Sequence, residues 1–356
     1  MYKFQDTQKI DAPYHHTGTR DDLQMDVMMP VARKDMDMLE PALNCLIRYA
    51  QTGIRRIYVV WQGPENENDP EPSVQLQGPQ QPEVLFVDER LYPFSLKDIK
   101  NTLQAMKSQD NHEGWYYQQL LKLYAFRVLP GVLPRLLIHD ADVAFTSPVA
   151  FIDRYGRSLL SYGYPFRWLV RADTPLAYGT VRNINHSHVA HARRLIPGWE
   201  PATIFSGMQH HQLLENTILE AMLQEAERAH GMPFWEAFIR QLDCSKWNGA
   251  SEYVLYFHYA LNRYPDRVLA RHLYSIDIIH DADEPIKDSP KAIANGQQPD
   301  MIGRHGFVSL RSRLETMDYI PENLRYLMLK KRAERLAFRL KLHQGILQIE
   351  EWAYNS

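Results

Sequence analysis

Two apolar runs joined by an amphipathic segment open the sequence, and this order restricts the fold more than any other feature. The run MDVMMPV, from Met25 to Val31, has the length and apolar character of a buried strand. The next segment places apolar residues on one helical face and predicts a helix that ends at Gly53 as its C-cap. RRIYVVW then reads as a second strand. Strand, helix and strand in this order favour an α/β protein with a mostly parallel sheet flanked by helices.

The rest of the chain continues this alternation. EVLFVDE is predicted as a strand after a loop at 62–82, and RLLIHDAD as a later strand after a long helix. Further on we predict a strand at Ala202–Met208, a helix from HQLLEN to Gly231, a helix at PFWEAFIRQL and a helix capped by Ser251. No repeat or clear linker divides the chain. We expect an N-terminal extension at 1–22, one two-lobed domain at 23–313 with halves at 23–150 and 151–313, and a helical tail at 314–356.

Composition narrows the class of protein. The chain has 356 residues and a net charge of −3, with most basic residues scattered, so nothing points to a nucleic-acid partner. Cys45 and Cys244 are too few for a disulfide framework, which favours a reducing compartment. We see no secretory signal and no run of eighteen apolar residues. The expectation is a cytoplasmic protein without a membrane span.

Asp140 and Asp142 follow the apolar run RLLIH and precede a second apolar run. Residues two apart on an extended chain point to the same side, so these carboxylates converge while Ala141 faces away. At about 6 Å and an effective dielectric of about 20, they repel each other by roughly 2–3 kcal/mol. A hard divalent cation, Mg²⁺ or Mn²⁺, would relieve this repulsion. The alternative is that one aspartate caps a turn and the other is solvated.

The stretch YYQQLLKLYAFRVLPGVLPRLLIHDADVAF resembles the helix, strand and D-x-D segment of nucleotide-sugar-dependent glycosyltransferases of the GT-A fold. FSGMQHHQLLENTILEAML and SEYVLYFHYALNRYPDRV resemble the acceptor half of a bacterial family of glycosyltransferase-like proteins. The likeness covers roughly Met25 to Arg271. It implies a GT-A (Rossmann-like) catalytic domain and a nucleotide-sugar donor, with a UDP-sugar favoured. The sequence departs from the common GT-A pattern at VVWQGPEN, where a DDGS-like ending is usual.

The resemblance also implies roles for residues of the donor site. Asp142 and Asp140 would hold the metal that bridges the donor diphosphate, and a late histidine, His305 rather than His280, would be a further ligand. Lys122 matches the basic residue that such helices direct at the donor, the alternative being a solvated lysine. The positions that correspond to the nucleotide cradle are Pro30, Val31, Arg33 and Asp88.

Three residues are candidates for the transfer chemistry. Glu252, in the first turn of the SEY helix, lies where inverting enzymes of this fold place their general base. Alternatively it only complements the helix N-terminus, an effect of about 0.3–1 kcal/mol. His210 and His211 could face the acceptor or donor sugar, or serve as hydrogen-bonded scaffolding.

Two further segments allow more than one reading. HSHVAHARR, with its histidines at 186, 188 and 191, is predicted as a surface helix or lid rather than a zinc site. The tail ENLRYLMLKKRAERLAFRLKL is a basic amphipathic helix. Such a helix can bind the inner face of an anionic cell membrane, giving peripheral association, or pack its leucines on the core.

Together these patterns predict a metal-dependent glycosyltransferase that moves a sugar from a nucleotide-diphosphate donor to an oligosaccharide or lipid-linked glycan. A role in bacterial surface-polysaccharide assembly rests on the resemblance alone. A sugar nucleotidyltransferase would use a similar metal site, but PVARKDMD lacks the glycines of its phosphate loop. A glycosyltransferase-like binding protein without activity is the other alternative.

Overall fold

A five-stranded sheet with strand order β3-β2-β1-β4-β7 forms the centre of the molecule. The computed structural model describes residues 23–64, 72–77, 81–108, 110, 112–145, 147–163, 166, 184, 186–245, 249–271, 273, 275–278 and 301–304. The strands of this sheet are β1 (Gln24–Val31), β2 (Gly53–Trp61), β3 (Glu83–Asp88), β4 (Arg135–His139) and β7 (His211–Glu215). The first four are parallel, and β7 is antiparallel to β4. The predicted α/β class with a mostly parallel, Rossmann-like sheet is confirmed.

Helices cover both faces of the sheet because strand side chains alternate between two apolar cores. Met25, Val27 and Met29 of β1 pack with helix α1 (Met36–Tyr49) on one face. Met28 lies in the larger core on the opposite face. The other helices are α2 (Leu96–Ala105), α3 (Glu113–Leu123), α4 (Ala125–Val128), α5 (Ser187–Leu195), α6 (Asn216–His230), α7 (Phe234–Arg240) and α8 (Glu252–Arg263). No helix within the described ranges is long and apolar enough to cross a membrane.

Two smaller sheets complete the described part of the chain. Their strands are β5 (Val143–Phe145), β6 (Ser158–Ser161), β8 (Val268–Arg271), β9 (Ser275–Ile278) and β10 (Met301–Arg304). Strand β10 lies between β5 and β9, and β6 pairs in parallel with β8. Because β5 begins directly after Asp142, the D-x-D segment is held between a central strand and a strand of the second sheet.

The structure corrects two predicted element boundaries in the first half of the chain. Helix α1 ends at Tyr49, because Ala50 is extended and forms a bridge with Val149. Gly53 is therefore the first residue of β2 and not a helix C-cap. Similarly, the long helix before β4 is interrupted at Tyr124, where α3 gives way to the short α4.

A third correction concerns the strand that precedes α6. Ala202–Met208 is not a strand, since Gly207 adopts a φ of +70° and packs directly against Phe257. The strand is instead the next segment, HQLLE, which we predicted as the start of the helix and which pairs along its whole length with β4. Gly231 does cap α6 in the left-handed conformation, and Ser251 caps α8, as predicted.

Some predicted features cannot be compared with the structure. The N-terminal extension at 1–22, the helical tail at 314–356 and both late histidines, His280 and His305, lie outside the described residues. Of the two predicted halves, the second contributes β7 to the central sheet, so both halves share one sheet.

Candidate metal site at the carboxyl edge of the sheet

The direction of the strands brings two distant parts of the chain together at one edge of the sheet. Strand β4 ends at His139, and Asp140 and Asp142 follow it beyond the edge. Because β7 is antiparallel, it begins at this same edge, and the residue before it, His210, lies next to Asp140. The Asp140 amide donates to the His210 carbonyl at 3.0 Å. The carboxyl edge of a parallel α/β sheet is where such folds bind ligands.

Asp140, Asp142 and His210 form a group able to hold one metal ion. Each offers one ligand atom, and the three atoms lie within 4.8 Å of one another. His210 Nδ1 is 3.5 Å from Asp140 Oδ2. Two carboxylates and an imidazole suit Mn²⁺ or Mg²⁺ completed by water or phosphate oxygens. The predicted convergence of the two aspartates is thus observed, with Ala141 turned into the core.

Lys122 lies at the centre of a buried charge network beside this group. Its ammonium is 2.7 Å from Asp140 Oδ1 and 2.8 Å from Glu252 Oε1, and its side chain is 4% exposed. It also donates to the Tyr253 hydroxyl at 3.1 Å. That hydroxyl donates in turn to Asp140 Oδ1 at 3.3 Å. The alternative of a solvated helix lysine is therefore wrong.

The two aspartates differ in their affinity for protons. Burial alone would raise the pKa of Asp140, but the Lys122 ammonium and the His210 ring outweigh it and hold the pKa well below its ordinary value. Burial, with the charge of Asp140 as a second cause, raises the pKa of Asp142 to about 6. Two acids two residues apart thus have pKa values pushed in opposite directions, an arrangement typical of functional sites.

Glu252 is the first residue of α8, and the structure holds it by both its backbone and its side chain. The Glu252 amide donates to Gln119 Oε1 at 3.0 Å, while Gln119 Nε2 donates to the Ala250 carbonyl. The Glu252 side chain is 7% exposed and accepts from Lys122. Glu252 therefore belongs to the same buried network as Asp140, one lysine away from it.

His211 points to a different place from His210. It is buried on the opposite face of β7, edge-on to Phe145 and Phe151. Burial, and the neighbouring His139 ring as a lesser cause, hold its pKa well below the ordinary value. We therefore correct the expectation that both histidines could face a sugar: His210 is at the site, and His211 is part of the core.

The predicted nucleotide-binding residues lie at the carboxyl ends of β1 and β3. Pro30 and Val31 are buried at the end of β1. Arg33 follows them and donates to the Gly63 carbonyl at 2.7 Å. Asp88 ends β3 and is held by the guanidinium of Arg90, which lowers its pKa. These residues line the same edge of the sheet as the aspartates, but no described contact joins them to Asp140.

The histidine segment before β7 has a structural role. It forms α5 as predicted, with Arg194 exposed, while His186, His188 and His191 are all buried. His191 Nε2 donates to the Phe238 carbonyl at 2.8 Å. Among the described residues, none of the three belongs to a cluster of three possible metal ligands.

Sequence reasoning missed two features of the site. The first is Tyr253, which stands beside Glu252 in the SEY segment and bonds to both Lys122 and Asp140. The second is His210, which the sequence suggests only for catalysis or scaffolding and which the structure places among the possible metal ligands. No local signal marks HQLLE as a strand, because its two leucines are adjacent and do not alternate with polar residues; its pairing with β4 decides the matter.

Comparison with known proteins gives a family but no activity. The model of a family described as "Family of unknown function (DUF6492)" matches residues 24–299, which include every site residue described above. No curated protein matches the chain.

Proposed function

We propose that this chain, which belongs to the DUF6492 family of unknown function, is a metal-dependent glycosyltransferase that uses a nucleotide-diphosphate sugar as its donor. The observation that carries the proposal is the convergence of Asp140, Asp142 and His210 at the carboxyl edge of a Rossmann-like sheet. A cation held by carboxylates at this edge is suited to a diphosphate, because hard divalent ions bind both kinds of oxygen.

Asp140, Asp142 and His210 would hold Mn²⁺ or Mg²⁺. A bound cation supplies Lewis-acid stabilisation of the charge that develops on the departing nucleoside diphosphate. Asp140 is ionised at neutral pH, since Lys122 lowers its pKa, so it is prepared to bind a cation without losing a proton. Asp142, with its pKa of about 6, is largely ionised at pH 7.

The donor would extend from this group along the sheet edge. The ends of β1 and β3, with Pro30, Val31, Arg33 and Asp88, support a position for the nucleoside, and UDP is the favoured nucleotide by resemblance. Arg33 is partly exposed beside Trp61, with its guanidinium 6.0 Å from the ring centroid. A planar cation next to an aromatic ring is a surface that suits a base or a phosphate.

The acceptor would be an oligosaccharide or a lipid-linked glycan, in keeping with a role in bacterial surface-polysaccharide assembly. We place the activity in the cytoplasm or on the inner face of the membrane. The cysteine content supports this location, because Cys45 and Cys244 are both free thiols.

Calorimetric titration of UDP, GDP and CDP tests the proposal. Each nucleotide is titrated into the protein with Mn²⁺ and again with EDTA. We expect one nucleotide to bind only when Mn²⁺ is present, and Asp142→Ala to weaken that binding at least tenfold. Asp266→Ala is the matched control, because Asp266 is an exposed acid in the turn before β8.

Two results would argue against the proposal. If no nucleotide binds under either condition, the carboxylates do not form a donor site. If a nucleotide binds equally well to Asp142→Ala, the chain has a nucleotide site that does not use this metal group. If one nucleotide does bind through the metal, the corresponding nucleotide-sugar is tested next. Release of the free nucleoside diphosphate from it distinguishes an enzyme from a binding protein.

A further inference from the structure

Lys122 is an unusual residue to find in the interior, because a buried ammonium needs strong partners. It has three within 3.1 Å: Asp140, Glu252 and Tyr253. A buried ion pair is weak evidence for stability, since apolar pairs of similar volume often do as well. Lys122 directly contacts Asp140, one of the candidate metal ligands, so we expect it to act at the site.

The contacts to Asp140 are divided between its two oxygens. Oδ1 accepts from Lys122 and from the Tyr253 hydroxyl, so rotation of the carboxylate is restricted. Oδ2 faces His210 Nδ1 across 3.5 Å. Oδ1 is thus engaged by two donors from outside the candidate ligand group, and Oδ2 is turned toward His210, a candidate ligand.

Two helices fix the donors themselves. Lys122 is on α3, and Glu252 and Tyr253 are in the first turn of α8. Gln119, one turn before Lys122, bonds to the backbone on either side of Ser251, at the Glu252 amide and the Ala250 carbonyl. The α3 and α8 contact therefore holds the ammonium in place without any help from a ligand.

From this geometry we infer that Lys122 is a positioning residue, which Glu252 and Tyr253 hold so that Asp140 presents only Oδ2 to the cation. The inference rests on the proposed function, since it assigns work to Lys122 at the same metal site. It also gives Glu252 a different role from the general base predicted from sequence. Glu252 Oε1 already accepts a hydrogen bond from the buried Lys122 ammonium. We therefore assign Glu252 to holding Lys122, and not to removing a proton from the acceptor sugar.

Outer residues of this kind usually change metal affinity by about 10–100-fold when they are removed. The double variant Lys122→Met/Glu252→Gln removes one positive and one negative charge, so the net charge of the site stays the same. We expect its dissociation constant for Mn²⁺ alone, measured by the electron paramagnetic resonance signal of the free ion, to rise at least tenfold.

A second ion pair, between a partly exposed arginine and a buried aspartate, supplies the control. Arg55 bonds to Asp26, whose side chain is fully buried at the other end of β1. Arg55→Met/Asp26→Asn also removes one charge of each sign, and we expect unchanged Mn²⁺ affinity because the pair lies away from the site. All variants are compared at a temperature where unfolding curves show them folded, so that lost stability is not mistaken for lost binding.

Tyr253→Phe covers the case in which the double variant does not fold, because it removes a single hydroxyl. We expect it to weaken Mn²⁺ binding about threefold or more. If Lys122→Met/Glu252→Gln or Tyr253→Phe is folded and binds Mn²⁺ with wild-type affinity, the role of Lys122 is wrong. If Asp142→Ala loses Mn²⁺ binding in the same assay, the metal site itself is still supported. No Mn²⁺ binding by the wild type would overturn both.

Discussion

His258 should make the protein sensitive to mild acid, and the size of the effect follows from its surroundings. The ring is fully buried, stacked on Phe166 at 5.6 Å between centroids and edge-on to Trp199 at 5.5 Å. Its Nδ1 accepts from the Ala202 amide at 3.0 Å, so the neutral ring carries its proton on Nε2. Burial lowers the pKa of His258 to about 3.

Whether acid stabilises or destabilises the fold depends on which state, folded or unfolded, binds the proton at the higher pH. In the unfolded chain the pKa of a histidine is about 6.5, so below that pH the unfolded state binds a proton that the folded state does not bind. Stability is therefore fully present above about pH 6.5 and is lost as the pH falls toward the folded pKa. Between pH 7 and pH 5 the loss is about 2 kcal/mol for one such ring.

Urea unfolding at pH 7, 6 and 5 measures this loss. His258→Asn keeps a hydrogen-bond acceptor near the position of Nδ1 but cannot titrate. We expect the variant to be less stable at pH 7, because it loses ring packing, yet to lose about 2 kcal/mol less than the wild type between pH 7 and pH 5. Equal losses in the two proteins would show that the folded state binds the proton and that burial does not keep the His258 ring neutral.

Two smaller predictions concern backbone and capping, both measured as the free energy of unfolding in urea. Gly207→Ala should destabilise the fold by at least about 2 kcal/mol more than Gly198→Ala. Both glycines have positive φ, but only at Gly207 would an added Cβ meet an atom of Phe257, at 2.2 Å. Equal free-energy losses in the two variants would contradict this. Ser251→Ala should cost about 1 kcal/mol, since the Ser251 hydroxyl accepts from the Val254 amide at the start of α8; an unchanged free energy would mean that the cap contributes nothing.

Local signals explain why much of the fold could be predicted. Strands β1 to β4 are apolar runs with clear ends, and parallel strands buried on both faces are apolar almost throughout. Ser251 and Gly231 mark helix ends by their own chemistry, a hydroxyl acceptor and a left-handed backbone. Each of these features depends on residues close together in sequence.

The errors come from contacts between distant residues. HQLLE has enough leucine to pass for a helix start, and only its pairing with β4 makes it a strand. Gly53 follows a helical pattern, but Ala50 is held extended by Val149, 99 residues further along the chain. Local propensity is a weak guide wherever tertiary pairing competes with it.

The candidate site shows the same division. The convergence of Asp140 and Asp142 was predicted from the period of an extended chain, and the structure shows it, although Ala141 and Asp142 lie in a turn between β4 and β5. The burial of Lys122 was not, because its partner Glu252 is 130 positions further on and nothing near Lys122 in sequence marks it as a core residue. Whether His210 or His211 faces the site depends on where β7 begins, which the sequence did not indicate.

The reversed direction of β7 has a consequence for comparing sequences. The chain leaves the sheet edge after Asp142 and returns to the same edge at His210, so the length of the intervening excursion does not set the distance between the two. Insertions or deletions within it can leave the three side chains in place. In relatives of this protein, the constant feature should be the pairing of two adjacent strands, one ending in D-x-D and one beginning after a histidine, whatever number of residues separates them.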